Sequence, residues 1–332
     1  MPVFVRAAAV ASGGAVEVVP DVALPAVGGD WMERADSIAR AVAAKLRAKA
    51  NFDSKIPCFV GSSSHFIGAL EMQKDPALDP PAGFARRLAG CFGAGGPVVS
   101  VDTACTSGIT ALGLAADMIE AGRCDHALVL GVELSNRLSR EGFAALGLLS
   151  AGTARPCDRH RDGLVLGEAF AALLVSRSGP WRIAANASAI DPAGLAAPAP
   201  NEQVMAKAMR TALADARWRA GDVDLVKLQA GGSPTGDLAE ARALRAVLGH
   251  LPRHVSLKGA IGHTLGASGP AELALLLAAL ARGRVPPTEG FAQPDPELGL
   301  APSGGDASAV RRVLFNLAGF GGSVTSVALE RA

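Results

Sequence analysis

A strand, turn and helix unit occurs twice in this chain, and the two copies restrict the available folds more than any other feature. Residues 99–123 read VSVDTACTSGITALGLAADMIEAGR, and residues 255–284 read VSLKGAIGHTLGASGPAELALLLAALARGR. Each copy starts with an apolar run of strand length and passes through a turn of small residues. Each then enters a stretch with apolar positions at helical spacing, such as Ile109, Leu112, Ala116 and Ile119 in the first. The correspondence extends backwards, because residues 56–60 make a strand candidate ending in GSSS and residues 222–229 one ending in AGGS. A duplicated α/β unit brings its matching turns together across a pseudo-two-fold axis. The turn holding Cys105 is therefore expected to face the turn holding Lys258 and His263.

The remaining pattern fills in around this repeat. Strands are predicted at 3–11, 56–60, 98–102, 127–132 and 169–176, separated by helices at 35–50, 84–92, 107–121 and 137–149 and by a loop containing Pro76, Pro80 and Pro81. The second half gives strands at 182–190, 222–229, 313–317 and 326–329, with helices at 202–216 and 271–281. Strands alternating with helices predict a mostly parallel sheet covered on both faces, in which 98–102 is a buried strand. The natural division lies between an N-terminal half, 1–177, and a C-terminal half, 178–332.

Composition narrows the classes of function. With 49% hydrophobic and 19% charged residues the chain can bury a large core, and a net charge of +1 argues against nucleic acid or an anionic membrane as a dedicated partner. The apolar helix at 271–281 contains Glu272 and is too short to cross a bilayer. Five cysteines show neither CxxC spacing nor a Cys/His cluster. Neither a metal site nor a disulfide framework is expected, which fits a reducing cytoplasm.

Cys105 sits where a strand gives way to a helix. A thiol there feels the positive end of the helix dipole, which favours the thiolate, and the small polar neighbours Thr103, Thr106, Ser107 and Gly108 suit a site that needs access. His263 lies in a glycine-bracketed turn opposite it, where an imidazole can hydrogen-bond an oxyanion or relay a proton. His65, His126, His160, His250 and His254 lie in exposed-looking positions, and a lone lysine such as Lys258 is usually solvated. Residues 316–322, NLAGFGG, end a strand in a glycine-rich turn, so the N–H groups of Phe320 and Cys105 are candidates for an oxyanion hole.

Five motifs, taken together and in order, resemble the β-ketoacyl-acyl-carrier-protein synthases of the thiolase superfamily. They are VDTACTSG around Cys105, RPCDRHRDGLVLGEA at 155–169, GGSPTGDLAEARAL at 231–244, SLKGAIGHTLGASGPAE at 256–272 and NLAGFGG from Asn316. The resemblance implies a thiolase-like five-layer αβαβα fold built from two duplicated halves, and a homodimer or a heterodimer with another ketosynthase-like chain. It also implies decarboxylative Claisen condensation of an acyl thioester with malonyl on an acyl carrier protein. The substrates ride on the carrier's phosphopantetheine, and the chain itself binds no cofactor. Position by position, Cys105 resembles the acyl-accepting nucleophile, His263 the second active-site histidine, Lys258 and Glu272 its charged supporting pair, and Phe320 the gate. Asp237 and Glu240 fall among the supporting residues.

The pattern departs from the family at one catalytic position. Aligning Pro234, Gly236 and Asp237 with the motif His-Gly-Thr-x-Thr-Pro puts Gln229 where the first histidine belongs, and Gly231 and Ser233 where two pantetheine-contacting threonines belong. The set becomes Cys-Gln-His, with Ser233 as the remaining hydroxyl. A glutamine amide can still donate to an oxyanion, although it carries no proton. Alternatives to an active condensing enzyme are a chain-length-factor-like subunit, or acyl transfer or thioester hydrolysis without condensation.

Overall fold

A computed structural model describes residues 1–13, 18–26, 28–72, 81–192 and 201–332. Pro76 and Pro80 lie outside these residues. In chain order the main elements are β1 (Val3–Ser12), α1 (Trp31–Lys49), β2 (Cys58–Gly61), α2 (Ile67–Met72), α3 (Pro81–Cys91), β3 (Val98–Val101), α4 (Ser107–Glu120), β4 (His126–Glu133), α5 (Arg137–Ala145) and β5 (Ala169–Ser176). They continue with β6 (Trp181–Ile190), α6 (Glu202–Ala216), β7 (Leu225–Lys227), α7 (Pro234–Leu248), β8 (Arg253–Val255), α8 (Lys258–Ile261), α9 (Ser268–Ala281), β9 (Arg312–Ala318) and β10 (Ser323–Arg331). Helix α1 starts a turn before the apolar periodicity does, because Asp30 caps it by accepting the N–H of Glu33 at 2.8 Å.

The strands join in the order β3-β2-β4-β5-β1-β6-β10-β9-β7-β8, with the two-residue strand Val22–Ala23 beside β1. Read inward from either edge, the two halves have the same order, and the same neighbours are parallel or antiparallel in each. The sequence repeat is thus a repeat of topology. The expectation of a mostly parallel sheet is not met, because β5 runs antiparallel to both β4 and β1, and β10 to both β9 and β6. Helix α5, between β4 and β5, buries none of its side chains, and the chain returns beside β4 in the opposite sense.

Strand β5 shows how the layers form. All eight of its residues, AFAALLVS, are buried, and they divide with period two. Phe170, Ala172 and Leu174 pack with Ile38, Leu46, Phe84 and Leu88 of α1 and α3. Ala171, Leu173 and Val175 face Ile109 and Leu112 of α4 and Leu273 and Leu276 of α9, a cluster that continues into Val313 and Phe315 of β9. On the far side of β9, Leu314 packs with Met205, Met209 and Leu244 of α6 and α7. Strands covered on both faces read as unbroken apolar runs. The result is five layers, with α4 and α9 in the middle. Helix α9 is apolar nearly all round for that reason, and Glu272 is its buried exception.

Strand β3 differs from expectation. It is an edge strand of four residues, and Val99 is 38% exposed.

The middle layer is drawn tight by missing side chains. A Cβ on Gly61 would lie 2.4 Å from the Cα of Gly108, and a Cβ on Gly108 would lie 2.4 Å from Cδ of Pro270. Helix α4 is thereby pressed against α9 and the end of β2. Gly108→Ala is expected to force these elements apart, lowering stability by about 1–3 kcal/mol, the usual cost of overpacking. Urea unfolding of the variant beside the wild type measures it.

Candidate active site

The turn that carries Cys105 is held by its own hydroxyls. Ser107 Oγ donates to the carbonyl of Ala104 at 2.6 Å and accepts the N–H of Thr103 at 2.9 Å, while Thr106 Oγ1 donates to the carbonyl of Thr103 at 2.7 Å. Ala104 is left-handed, with φ +54°, which swings the chain from β3 into α4. The small polar residues around Cys105 therefore build the turn and do not open it. Cys105 is 4% exposed.

Burial also decides the state of the thiol. It pushes Cys105 up to about 11, assisted by nearby Glu133, and outweighs the backbone hydrogen bond from Phe320 and the charge of Lys258, which pull the other way. The thiolate expected from the helix terminus is thus not the resting form. The Phe320 turn reaches the sulfur because residue 319 is glycine, as a Cβ there would lie 3.0 Å from the Cys105 Cβ. The Phe320 ring meets Phe143 of α5 edge-on at 5.1 Å. Phe143 carried no signal in the sequence beyond its place in the 137–149 helix.

His263 stands in the turn between α8 and α9. Its N–H donates to the carbonyl of Val165 at 2.7 Å, and its own carbonyl accepts from Gly167 at 3.0 Å, so the loop after the RPCDRHRDG motif clasps it from outside. Nδ1 lies 3.1 Å from Ser268 Oγ. Burial, with the charges of Lys258 and Lys227, lowers its pKa to about 3, only partly opposed by Glu272, so the imidazole is neutral at neutral pH.

Lys258 is not solvated as a lone lysine usually is. It is 1% exposed, and its Nζ lies 2.5 Å from Glu272 Oε1. A second lysine, Lys227, approaches Glu272 Oε2 at 2.6 Å and is fully enclosed. The only sign of it in the sequence is a charge inside the otherwise apolar run LVKL. His65 and His254 are buried as well, contrary to their exposed-looking positions. His254 Nε2 accepts the N–H of Ala301 at 3.1 Å, which fixes a loop far from the cysteine.

Two carboxylates of α7 hold the turn that carries Gln229. Glu240 accepts the N–H groups of Gln229 and Ala230, each at 2.8 Å. Asp237 accepts those of Gly231 at 3.1 Å and Cys157 at 2.9 Å, and also that of Gly232. Burial raises Glu240 to about 7 and Asp237 to about 6. The side-chain Oε1 of Gln229 is buried and has no hydrogen-bond partner among the described residues. Ser233 caps α7 through the N–H of Gly236.

Cys105, Gln229, Ser233, His263, Phe143 and Phe320 all line one narrow cleft of about 50 Å³ that opens to solvent. Behind the cleft, Glu133 accepts from Ser63 N–H and Oγ, from Ser64 N–H and from Gly266 N–H. It ties the GSSS turn of the first half to the His263 turn of the second, a role the sequence did not disclose. The arrangement sets a thiol against two neutral donors, an amide and an imidazole. Those are the parts needed for thioester chemistry that develops charge on oxygen.

Comparison with known proteins agrees with the arrangement of motifs. The family pattern described as "Beta-ketoacyl synthase, N-terminal domain" matches residues 40–180, and "Beta-ketoacyl synthase, C-terminal domain" matches residues 182–292. The chain belongs to the beta-ketoacyl synthase family. It is 32% identical over 275 residues to the tetracenomycin polyketide synthase ketoacyl synthase alpha subunit of Streptomyces glaucescens, covering 76% of this chain and 64% of that protein. It is 34% identical over 254 residues to 3-oxoacyl-acyl-carrier-protein synthase 2 of Mycobacterium bovis, covering 70% and 61%. The chain thus spans a little under two thirds of the length of these relatives. The ishigamide ketosynthase/chain length factor superposes with TM-score 0.85 at 24% identity, covering 100% of this chain and 99% of that one, and places the fold among the thiolase-like ketosynthases.

Two measurements follow from burial. Iodoacetamide should label the partly exposed Cys91 and Cys124 before Cys105, whose rate should climb about tenfold per pH unit between neutrality and pH 10. Peptide mapping reads the order. For His263, unfolding between its buried value of about 3 and the free value of 6.5 takes up a proton, so its share of stability falls as pH falls below 6.5. Asp237 and Glu240 act in the opposite sense, which makes the comparison with His263→Asn the informative one. The stability advantage of wild type over this variant should shrink by up to about 1.4 kcal/mol per pH unit on acidification, measured by urea unfolding.

Proposed function

We propose that this chain is a β-ketoacyl synthase-type acyltransferase acting on thioesters carried by the phosphopantetheine of an acyl carrier protein. The observation that carries this reading is the single cleft in which Cys105 faces Gln229 and His263, both neutral. In the first half-reaction the Cys105 sulfur attacks the thioester carbonyl. The new S–C bond replaces the bond to pantetheine, which leaves as the thiol with the cysteine's proton. In the second, the C–C bond to the malonyl carboxylate breaks, carbon dioxide departs, and the electron pair forms an enolate whose oxygen is held by the Gln229 amide and the His263 imidazole. The carbanion then attacks the acyl group on Cys105. The N–H groups of Cys105 and Phe320 receive the tetrahedral oxyanion before the thiolate is released. Ser233 contacts the pantetheine arm at the cleft wall.

The same proposal includes a paired chain, as a homodimer or a heterodimer. Strand β3 ends the sheet beside the nucleophile with Val99 half exposed, and α5 leaves Leu138 and Leu146 each 64% exposed. A free edge and an uncovered apolar face invite association. The halves 1–177 and 178–332 serve as the two repeating units of the protomer, and the five free cysteines suit a reducing cytoplasm.

Gln229, standing where the family motif has histidine, favours one competing reading, a chain-length-factor-like subunit that shapes the product of a complete synthase. Intact-protein mass spectrometry with a panel of acyl-carrier-protein thioesters, followed by malonyl addition, separates the two. Acylation of Cys105 and carbon dioxide release are expected. Failure of both assigns the chain to the subunit role, and acylation without carbon dioxide release assigns it to acyl transfer or hydrolysis. In the active case Gln229→Ala should slow decarboxylation by roughly a hundredfold or more while acyl transfer persists, since a lost oxyanion donor costs about 2.7–4 kcal/mol.

A further inference from the structure

Two hydroxyls stand behind His263 with no part in the reaction above. Thr264 and Ser268 are both fully buried, at the head of a helix that is otherwise apolar nearly all round. Ser268 opens α9, yet the partners of its Oγ are side chains and not the N–H groups of that helix. They are His263 Nδ1 at 3.1 Å and Thr264 Oγ1 at 3.2 Å. The backbone is bent to bring them together. Leu265 takes a left-handed φ of +43°, uncommon for a bulky residue, and turns the chain so that residue 268 meets residue 263. The N–H of Ala267 donates to the Thr264 carbonyl at 2.9 Å, and that of Gly266 to Glu133 Oε2 at 2.9 Å. A conformation of this kind persists only where its surroundings enforce it.

The direction of these bonds follows from counting hydrogens. Each hydroxyl has one to give, and a buried one left without an acceptor is costly. Among the described residues the Thr264 hydroxyl meets only Ser268 Oγ, so it donates there. Ser268 is then free to give its own hydrogen to His263 Nδ1. The reverse order, from Nδ1–H to Ser268 to Thr264, would leave the Thr264 hydrogen without an acceptor. A neutral imidazole carries a single N–H, so an acceptor at Nδ1 puts the proton on Nε2. His263 lines the cleft, and its Nε2 makes no hydrogen bond among the described residues. We propose that Ser268, held by Thr264, is a positioning residue that fixes His263 as the Nε2–H tautomer and so keeps an N–H ready for the enolate oxygen. With the proton on Nδ1 instead, the ring would turn a lone pair toward that oxygen and repel it.

The inference rests on the condensing reading for its kinetics, and nitrogen-15 NMR of the histidine rings tests it without turnover. At neutral pH the wild type should show a pyridine-type Nδ1 and a pyrrole-type Nε2 for His263, the signals being assigned by their loss in His263→Asn. In Ser268→Ala the bond to Nδ1 is gone, and both nitrogens should move toward the averaged shifts of a tautomer mixture. Ser268→Thr returns the hydroxyl and should restore the wild-type pattern. In Ser268→Ala the kcat of malonyl decarboxylation should fall about tenfold with KM little changed, and acylation of Cys105 should not follow it, since only the enolate step uses Nε2. Thr264→Val removes the donor to Ser268 at nearly the same shape. It should move the shifts in the same direction, and it serves where Ser268→Ala does not fold. A proton found on Nδ1 in the wild type overturns the proposal. So does a slower Ser268→Ala whose shifts stay at wild-type values, which would mark the hydroxyl as merely structural. Shifted signals in a protein that releases no carbon dioxide leave Ser268 in its role and remove the condensing reading instead.

Discussion

The contact of Gly108 with Pro270 governs the geometry of this protein. Two central helices without a bulky side chain between them can lie closer than helices in an ordinary bundle. Everything that meets in the cleft is referred to that distance. Helix α4 carries Cys105 just ahead of its first turn, and α9 carries Glu272 just inside its own. The two repeats contribute complementary parts, a nucleophile from one and a charged support from the other, because their matching turns open toward the same layer. Glu133 reinforces the arrangement from behind by bonding to both halves at once.

Inside that layer, solvation outweighs the local dipole. A helix terminus contributes a few tenths to one kcal/mol at a surface, whereas taking a thiolate out of water costs more, and Cys105 stays protonated at rest. The same balance keeps His263 neutral and lifts Glu240 and Asp237 toward neutrality. The cleft is thus a region of suppressed charge, backed by the buried contacts of Lys227 and Lys258 with Glu272. Hydrogen bonds directed at a developing oxyanion gain strength in such surroundings, since little water competes with them.

Most of the architecture was legible in the sequence, for an identifiable reason. Strands buried on both faces leave long apolar runs, and duplication makes each half a check on the other, so the placing of Cys105 opposite His263 followed from pattern alone. What could not be read were features set by tertiary contact. The antiparallel return of β5 is set by its pairing with β4 and β1. The half-exposed state of β3 depends on its being last in the sheet order, which no local pattern encodes. Lys227, Glu133 and Phe143 act through partners 45, 133 and 177 positions away, respectively. At the thiol, neighbours in sequence suggest access while neighbours in space exclude water.

Helix α5 leads outward from the site. It keeps Leu138 and Leu146 in solvent and sets Phe143 edge-on against Phe320, the residue whose N–H reaches the Cys105 sulfur. One short helix therefore has its apolar surface outside and its aromatic ring at the mouth of the cleft. The outer face of the helix and the Phe320 turn are thus joined by a contact of two aromatic rings.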